Sequence, residues 1–232
     1  MELPPKSYET AVAPLNPFSV LGMAFTRKLK TRQILLSKLH RQPKHVALQT
    51  QLQGLQETLQ HMAGACSFKI DAVVDYLLRQ TEKVVVFAYH RGLIEEYADK
   101  LRQAGRGVVT LTGDNTKQTA RVVERFQTDP SIQYFVGNMK VAGQGITLHA
   151  AALVVFAELD WSPGVMEQAE DRVHRIGQER AVRIVYFLLE GSLDPIIVGA
   201  LRRKLHNSRQ ALNPPKLEVV EHQPRRLVRP RV

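Results

Sequence analysis

Gln168, Arg172 and Arg175 stand four and three residues apart in the stretch Gln168-Ala-Glu-Asp-Arg-Val-His-Arg-Ile-Gly-Gln178. On a helix turning about 100° per residue, the three side chains share one narrow face. Two guanidiniums one turn apart, with an amide beside them, suit multidentate recognition of phosphate oxygens. Glu170 and Asp171 lie between them, so the same spacing could instead serve salt bridges on a solvated face. Met166, Ala169, Val173 and Ile176 form a separate apolar stripe, rotated from the arginines by roughly a quarter to a third of a turn. Ser162 can cap the start of this helix, Pro163 suits its first position and Gly177 can end it. The pattern predicts a short helix running up to Gly177, packed on a core, with its arginines presented outward.

The elements that must hold this segment are read from the rhythm of the chain. Lys83-Val-Val-Val-Phe-Ala-Tyr89 reads as a buried strand, and residues 108–111, 132–136, 153–157 and 182–189 as further strands. Helical runs over 91–104, 116–127 and 193–207 alternate with them. Such alternation predicts an α/β fold with a parallel sheet covered by helices on both faces. Ahead of it, 26–40 reads as a basic helix and 68–80 as another. Leu48, Leu52, Leu55 and Leu59 recur at helical spacing and predict a helix over 46–62. Residues 1–20 are Pro-rich, show neither period, and are read as an extended lead-in.

Composition narrows the class. A chain of 232 residues, 44% hydrophobic, can bury one sizeable core. Its single cysteine, Cys66, permits no internal disulfide, which suits a reducing intracellular compartment. No apolar run approaches the ~20 residues of a membrane span, and the first residues lack a signal-peptide pattern. The net charge of +10 is uneven: residues 1–45 hold eight Lys/Arg and two acids, residues 46–212 nineteen and eighteen, and residues 213–232 five and two. Between Thr26 and His45 there are seven Lys/Arg and no acid. Basic flanks on a nearly neutral body fit contact with a polyanion such as nucleic acid.

In open α/β sheets, ligands lie beyond the carboxyl ends of the strands. Four loops occupy those ends. Tyr89-His90-Arg91 opens a helix, where anions are favoured. Thr112-Gly113-Asp114-Asn115-Thr116 combines a tight turn with residues that can cap the next helix. Gly137-Asn138-Met139-Lys140-Val141-Ala142-Gly143-Gln144-Gly145 is a Gly-rich turn with a cation and an amide. Trp161 follows the fourth of these strands, either at a ligand groove or as an anchor for the arginine-bearing helix.

The string QAEDRVHRIGQ, with FAELDWSPG ahead of it, resembles motif six of the Swi/Snf-type helicase-like ATPases. The fuller stretch is similar to their annealing-helicase subgroup, which rewinds DNA and remodels stalled replication forks. The resemblance runs from about Phe68 to Asn207. It implies a RecA-like lobe, the second of two. It implies that Arg172 and Arg175 reach ATP phosphates bound on the first lobe, with Arg175 the foremost finger, Gln168 positioning them and Gly145 near the nucleotide. The loops with His90 and Arg91, Gly113, and Lys140, Gly143 and Gln144 resemble the motifs that meet the DNA backbone, and Trp161 resembles a residue near the DNA groove. One departure stands out: the family often places serine where this chain has Asn138.

The chain has no G-x-x-x-x-G-K-[ST] loop and no Asp-Glu-Ala/Gly-His box. In the family both belong to the first lobe, which holds most of the ATP and Mg2+ contacts. The expectation is a division into a basic, partly disordered extension (1–45), a helical linker (46–67), a RecA-like helicase C-terminal lobe (68–207) and a basic tail (208–232). Its function would be that of the second motor lobe of a double-stranded-DNA translocase, inactive as an ATPase without the first. The alternative is a stand-alone DNA- or protein-binding module. Either would be intracellular: nuclear in a eukaryote, otherwise in the cytoplasm or nucleoid.

Overall fold

The computed structural model describes residues 3–13, 20–64, 67–140, 145–160, 162–189, 192–194, 196–199 and 217–221. Its strands are β1 (Lys6–Ala13), β2 (Val84–Ala88), β3 (Gly107–Leu111), β4 (Ile132–Asn138), β5 (Leu153–Phe156), β6 (Val182–Leu189) and β7 (Leu217–Glu221). They form one sheet in the order β3-β4-β2-β5-β6-β1-β7, with every pairing parallel. Six helices accompany them: α1 (Val20–Arg41), α2 (Val46–Gly64), α3 (Ser67–Leu78), α4 (Arg91–Gln103), α5 (Thr119–Thr128) and α6 (Pro163–Glu170).

Every residue of β2 and β5 is buried. Because successive side chains on a strand point to opposite faces, a strand buried throughout is covered on both. The fold is the α/β class the alternation predicts. Phe87, Phe156 and Tyr186 run across β2, β5 and β6 with ring centroids 5.5 and 5.4 Å apart, tying three strands into one core. Lys69 of α3 pairs with Asp194 at 2.9 Å, both side chains almost fully buried, and Asp194 also accepts the Leu189 amide at the end of β6. That pair fixes α3 against the central sheet.

Four local expectations change. Residues 6–13 are not a lead-in but β1, which pairs with β6 over eight residues and carries β7 on its other side. Lys-Ser-Tyr-Glu-Thr-Ala-Val-Ala has a weak strand signal because its buried positions are filled by Tyr8, Thr10 and small alanines; the open edge of β6 supplies what the pattern lacks. The segment expected as a basic tail likewise contributes β7. The helix expected over 116–127 begins as a 3-10 turn (Gly113–Gln118) and becomes α5 only at Thr119. Of the closing helix expected over 193–207, residues 194 and 196–199 are helical and Leu193 is not, while 195 and 200–207 lie outside the described residues.

Candidate functional site

β2 lies between β4 and β5, so the loops leaving the carboxyl ends of these three strands meet. Glu158, just after β5, is 1% exposed. Its Oε2 accepts the backbone amides of Tyr89 and His90, each at 2.8 Å, and its Oε1 lies 2.7 Å from His90 Nδ1. These donors stand at the start of α4, where backbone N–H groups lack helical acceptors and the helix end is positive. Burial alone would raise the Glu158 carboxyl. The His90 ring and the two amides outweigh it and hold the group below the ordinary carboxylate range.

Asn138 closes the same corner. Its amide donates to the Tyr89 carbonyl at 2.5 Å and its Oδ1 accepts the Lys140 amide at 2.8 Å. The side chain that departs from the family's serine is thus a tie between two loops. The Lys140 ammonium donates to the Tyr89 hydroxyl at 3.1 Å and lies 4.7 Å from the ring centroid; that hydrogen bond raises its pKa. Arg91 donates to Glu95 at 2.7 Å and to Asp114, which brings it beside Gly113. Asn115, rather than Asp114, secures the turn: it accepts the Thr112 amide at 2.8 Å and donates to the Thr110 carbonyl at 2.9 Å. His90, Arg91, Gly113 and Lys140 are therefore gathered at the carboxyl end of the sheet. Gly143, Gln144 and Trp161 lie outside the described residues.

The arginine-bearing segment is built differently from the expected helix. α6 starts at Pro163 after Ser162, as read, but stops at Glu170. The Glu170 carbonyl accepts both the Val173 and the His174 amides. The Arg172 carbonyl accepts the Leu148 amide at 2.7 Å, and the Val173 carbonyl accepts the Gln178 side chain at 3.3 Å. With those carbonyls drawn to other partners, the i to i+4 ladder ends. Met166, Ala169 and Val173 are buried as the stripe requires, whereas Ile176 is 85% exposed, because helical stepping no longer carries it to the core. Gly177, at φ 102°, turns the chain in a conformation that a residue with a Cβ rarely adopts.

Gln168, Arg172 and Arg175 nevertheless line one open cleft of about 430 Å³, together with Leu3, Asp171 and His174. Arg175 donates to the Gly145 carbonyl at 3.3 Å and the Thr147 hydroxyl at 3.4 Å. Gly145 itself stands at φ 77°. Glu170 faces away from the arginines. It is 1% exposed and accepts Tyr8, Tyr186 and Lys6 at 3.0, 2.9 and 3.2 Å, while Lys6 also reaches Asp171 at 2.8 Å. Burial pushes the Glu170 carboxyl up, against the pull of Lys6 and the two phenols.

Three supporting residues escaped the sequence reading. Glu158 left one signal, an acid in the otherwise apolar run Phe156-Ala157-Glu158-Leu159. Gln178, the last residue of the quoted motif, donates to the Ala151 carbonyl at 2.7 Å and accepts the Arg180 amide at 3.0 Å, stapling the arginine turn to the loop before β5. Lys6 lies 164 residues from Glu170, with no local signal. Guanidiniums and an amide fit phosphate oxygens. Among the described residues no three His, Cys, Asp or Glu side chains converge to hold a metal ion.

The sheet and its arginine turn define a RecA-like helicase C-terminal lobe. Residues 68–177 match the helicase conserved C-terminal domain. Human DNA annealing helicase and endonuclease ZRANB3 is 33% identical over 217 residues, 91% of this chain and 19% of that protein. SWI/SNF-related matrix-associated actin-dependent regulator of chromatin subfamily A-like protein 1 of Xenopus tropicalis is 36% identical over 138 residues, 59% of this chain and 14% of that protein. The crystal structure of the C-terminal part of the Fun30 ATPase domain shares the fold at a TM-score of 0.68 and 19% identity, covering 86% of this chain and 89% of that one. The chain carries a helicase conserved C-terminal domain and is homologous to Swi/Snf-type annealing helicases. It spans about a fifth of the length of the ZRANB3 relatives.

Proposed function

We propose that this chain is the second motor lobe of an ATP-dependent double-stranded-DNA translocase of the annealing-helicase type. One observation carries the reading: Gln168, Arg172 and Arg175 converge on a single open cleft. Arg175's hydrogen bonds among the described residues go to neutral oxygens, at distances near the long end of the range. A phosphate oxygen is a stronger partner than either. In this reading ATP and Mg2+ are held mainly by a first lobe, and Arg175 places its charge on the transferring phosphoryl group with Arg172 beside it. In comparable NTPases an arginine finger contributes ~10³–10⁵ in rate, roughly 4–7 kcal/mol of barrier. Gly145 and Gln168 set the position of the arginines.

DNA contact is assigned to the backbone-facing loops with His90, Arg91, Gly113 and Lys140, and to Gly143, Gln144 and Trp161. A second set of cations lies on α1. Arg27, Lys30, Lys38 and Arg41 are exposed and fall on one helix face, spanning about 21 Å at 1.5 Å per residue. That length matches a run of duplex phosphates, and such binding is steeply salt-dependent. Because β1 is part of the sheet, deleting 1–45 would remove a strand along with the charge. Replacing the four α1 cations by Gln is the cleaner variant, and an unchanged salt slope would rule α1 out.

The test of the whole reading is turnover. The purified chain is expected to hydrolyse ATP at background rate with or without DNA, and a first lobe, in cis or in trans, should restore DNA-stimulated activity. Clear turnover by the chain alone would refute the reading, and none after the first lobe is added would favour a stand-alone binding module instead.

A further inference from the structure

We propose that the N-terminal strand β1 is a positioning element of the arginine site, with Lys6 and Tyr8 acting through Glu170. The inference rests on reading the arginine turn as phosphate-facing. β1 lies outside residues 68–177, the stretch that matches the helicase domain, yet its Lys6 and Tyr8 side chains both donate into the turn that carries Arg172 and Arg175. Lys6 bridges Glu170 and Asp171 at 3.2 and 2.8 Å. Tyr8 donates to Glu170 Oε2 at 3.0 Å. The carbonyl of Pro4, just before the strand, lies 2.6 Å from His174 Nε2. Leu3 lines the arginine cleft itself.

The turn needs such a brace. Beyond Glu170 the helical ladder is broken: the Asp171 and His174 amides keep i−4 carbonyls, whereas Arg172, Val173 and Arg175 turn to the nearer carbonyls of Ala169, Glu170 and Val173. Glu170 joins the two systems. Its carbonyl orders Val173 and His174, and its buried carboxyl is gripped from β1 and, through Tyr186, from β6. Residues 170, 171 and 174 are tied to β1, and Arg172 and Arg175 lie between and beside them. Register is set by the eight-residue pairing of β1 with β6 and by the Val182 amide, which donates to the Pro5 carbonyl at 3.0 Å. A strand inserted between β6 and β7 thus determines where two guanidiniums stand.

Three variants of the full chain test this: Lys6→Met, Lys6→Arg as the conservative rescue, and Val12→Ala, which weakens β1 packing without touching Glu170. Amide hydrogen exchange of residues 171–178 is read first. Losing a charged hydrogen-bond partner predicts exchange there faster by about 10- to 100-fold in Lys6→Met. Lys6→Arg should restore protection, and Val12→Ala should leave the turn protected. With the first lobe supplied, Lys6→Met should lower kcat at an unchanged KM for ATP and unchanged DNA affinity, again rescued by arginine. Unchanged exchange at 171–178 in Lys6→Met overturns the proposal, as does equal loosening in Val12→Ala. If Lys6→Met loosens the turn while Arg175→Ala leaves turnover intact, the brace stands and the phosphate reading of the arginines falls.

Discussion

Two buried glutamates sit at the bases of the two cation-bearing regions, and their protons respond in opposite directions. Glu158, under His90, is met by two backbone amides at a helix start and by the histidine ring, and its pKa is lowered. Glu170, under the arginine turn, is met by side chains alone, Lys6, Tyr8 and Tyr186, and burial raises it. At Glu158 the His90 ring leads, joined by two backbone amides preoriented at a helix start, and together they offset desolvation. Side chains recruited from a distant strand do so less completely. The first region is a rigid corner of the central sheet. The second depends on a strand that enters 164 residues earlier in the chain.

The comparison breaks most sharply at Arg175. With the first lobe present, Arg175→Ala should reduce ATP turnover by ~10³-fold or more while DNA affinity stays within about twofold in a filter-binding or anisotropy titration. An equal fall in DNA affinity would merge the two regions into one nucleic-acid surface. Next is Glu158→Ala, which strands two amides and the His90 ring. It should cost about 3–5 kcal/mol in urea unfolding at unchanged m value. A loss below 1 kcal/mol would show that the corner is not what holds the His90-Arg91 loop.

The opposite pKa directions make a pH test. A lowered folded pKa means that Glu158 contributes stability in full above its unfolded value, about 4.3, and that this is lost as pH falls through the folded value. For Glu170 the raised folded pKa gives a contribution complete below the unfolded value and lost as pH rises through the folded one. Glu158→Gln should therefore flatten the acid limb of a stability-against-pH curve, and Glu170→Gln the limb above about pH 4.3. The same limb flattened by both variants would refute the contrast. The smallest effect is expected at Arg91, whose charge is already engaged by Glu95 and Asp114. Arg91→Gln should lower the salt slope of DNA binding by at most about one phosphate contact.

Much of this arrangement is legible in the amino-acid order. The alternation of strands with helices places β2 to β6 within a few residues, because burial of Val-rich runs such as 84–88 leaves a strong local pattern. The helix start at Ser162-Pro163 and the turn at Gly177 are equally local. The helix end at Glu170 is not. It follows from the Arg172 and Val173 carbonyls being claimed by the Leu148 amide and by Gln178, neither of which the 3.6-residue period registers. Ile176 was assigned to the buried stripe for the same reason and stands exposed.

The residue types at the strand ends, their spacing and their motif strings are sufficient for an α/β helicase lobe with two arginines close together at one strand end. Those features are properties of neighbours in the chain, and short-range sterics and hydrophobic periodicity express them directly. Tertiary structure decided which acid each basic side chain meets: Glu158 took His90, Asp114 took Arg91, and Glu170 took Lys6. It also decided that a weakly patterned N-terminal segment becomes a strand beside β6. Pairings across 68 and 164 residues depend on where the sheet brings its edges and loops, and the free energy of a buried charge is set by that surrounding rather than by its neighbours in sequence.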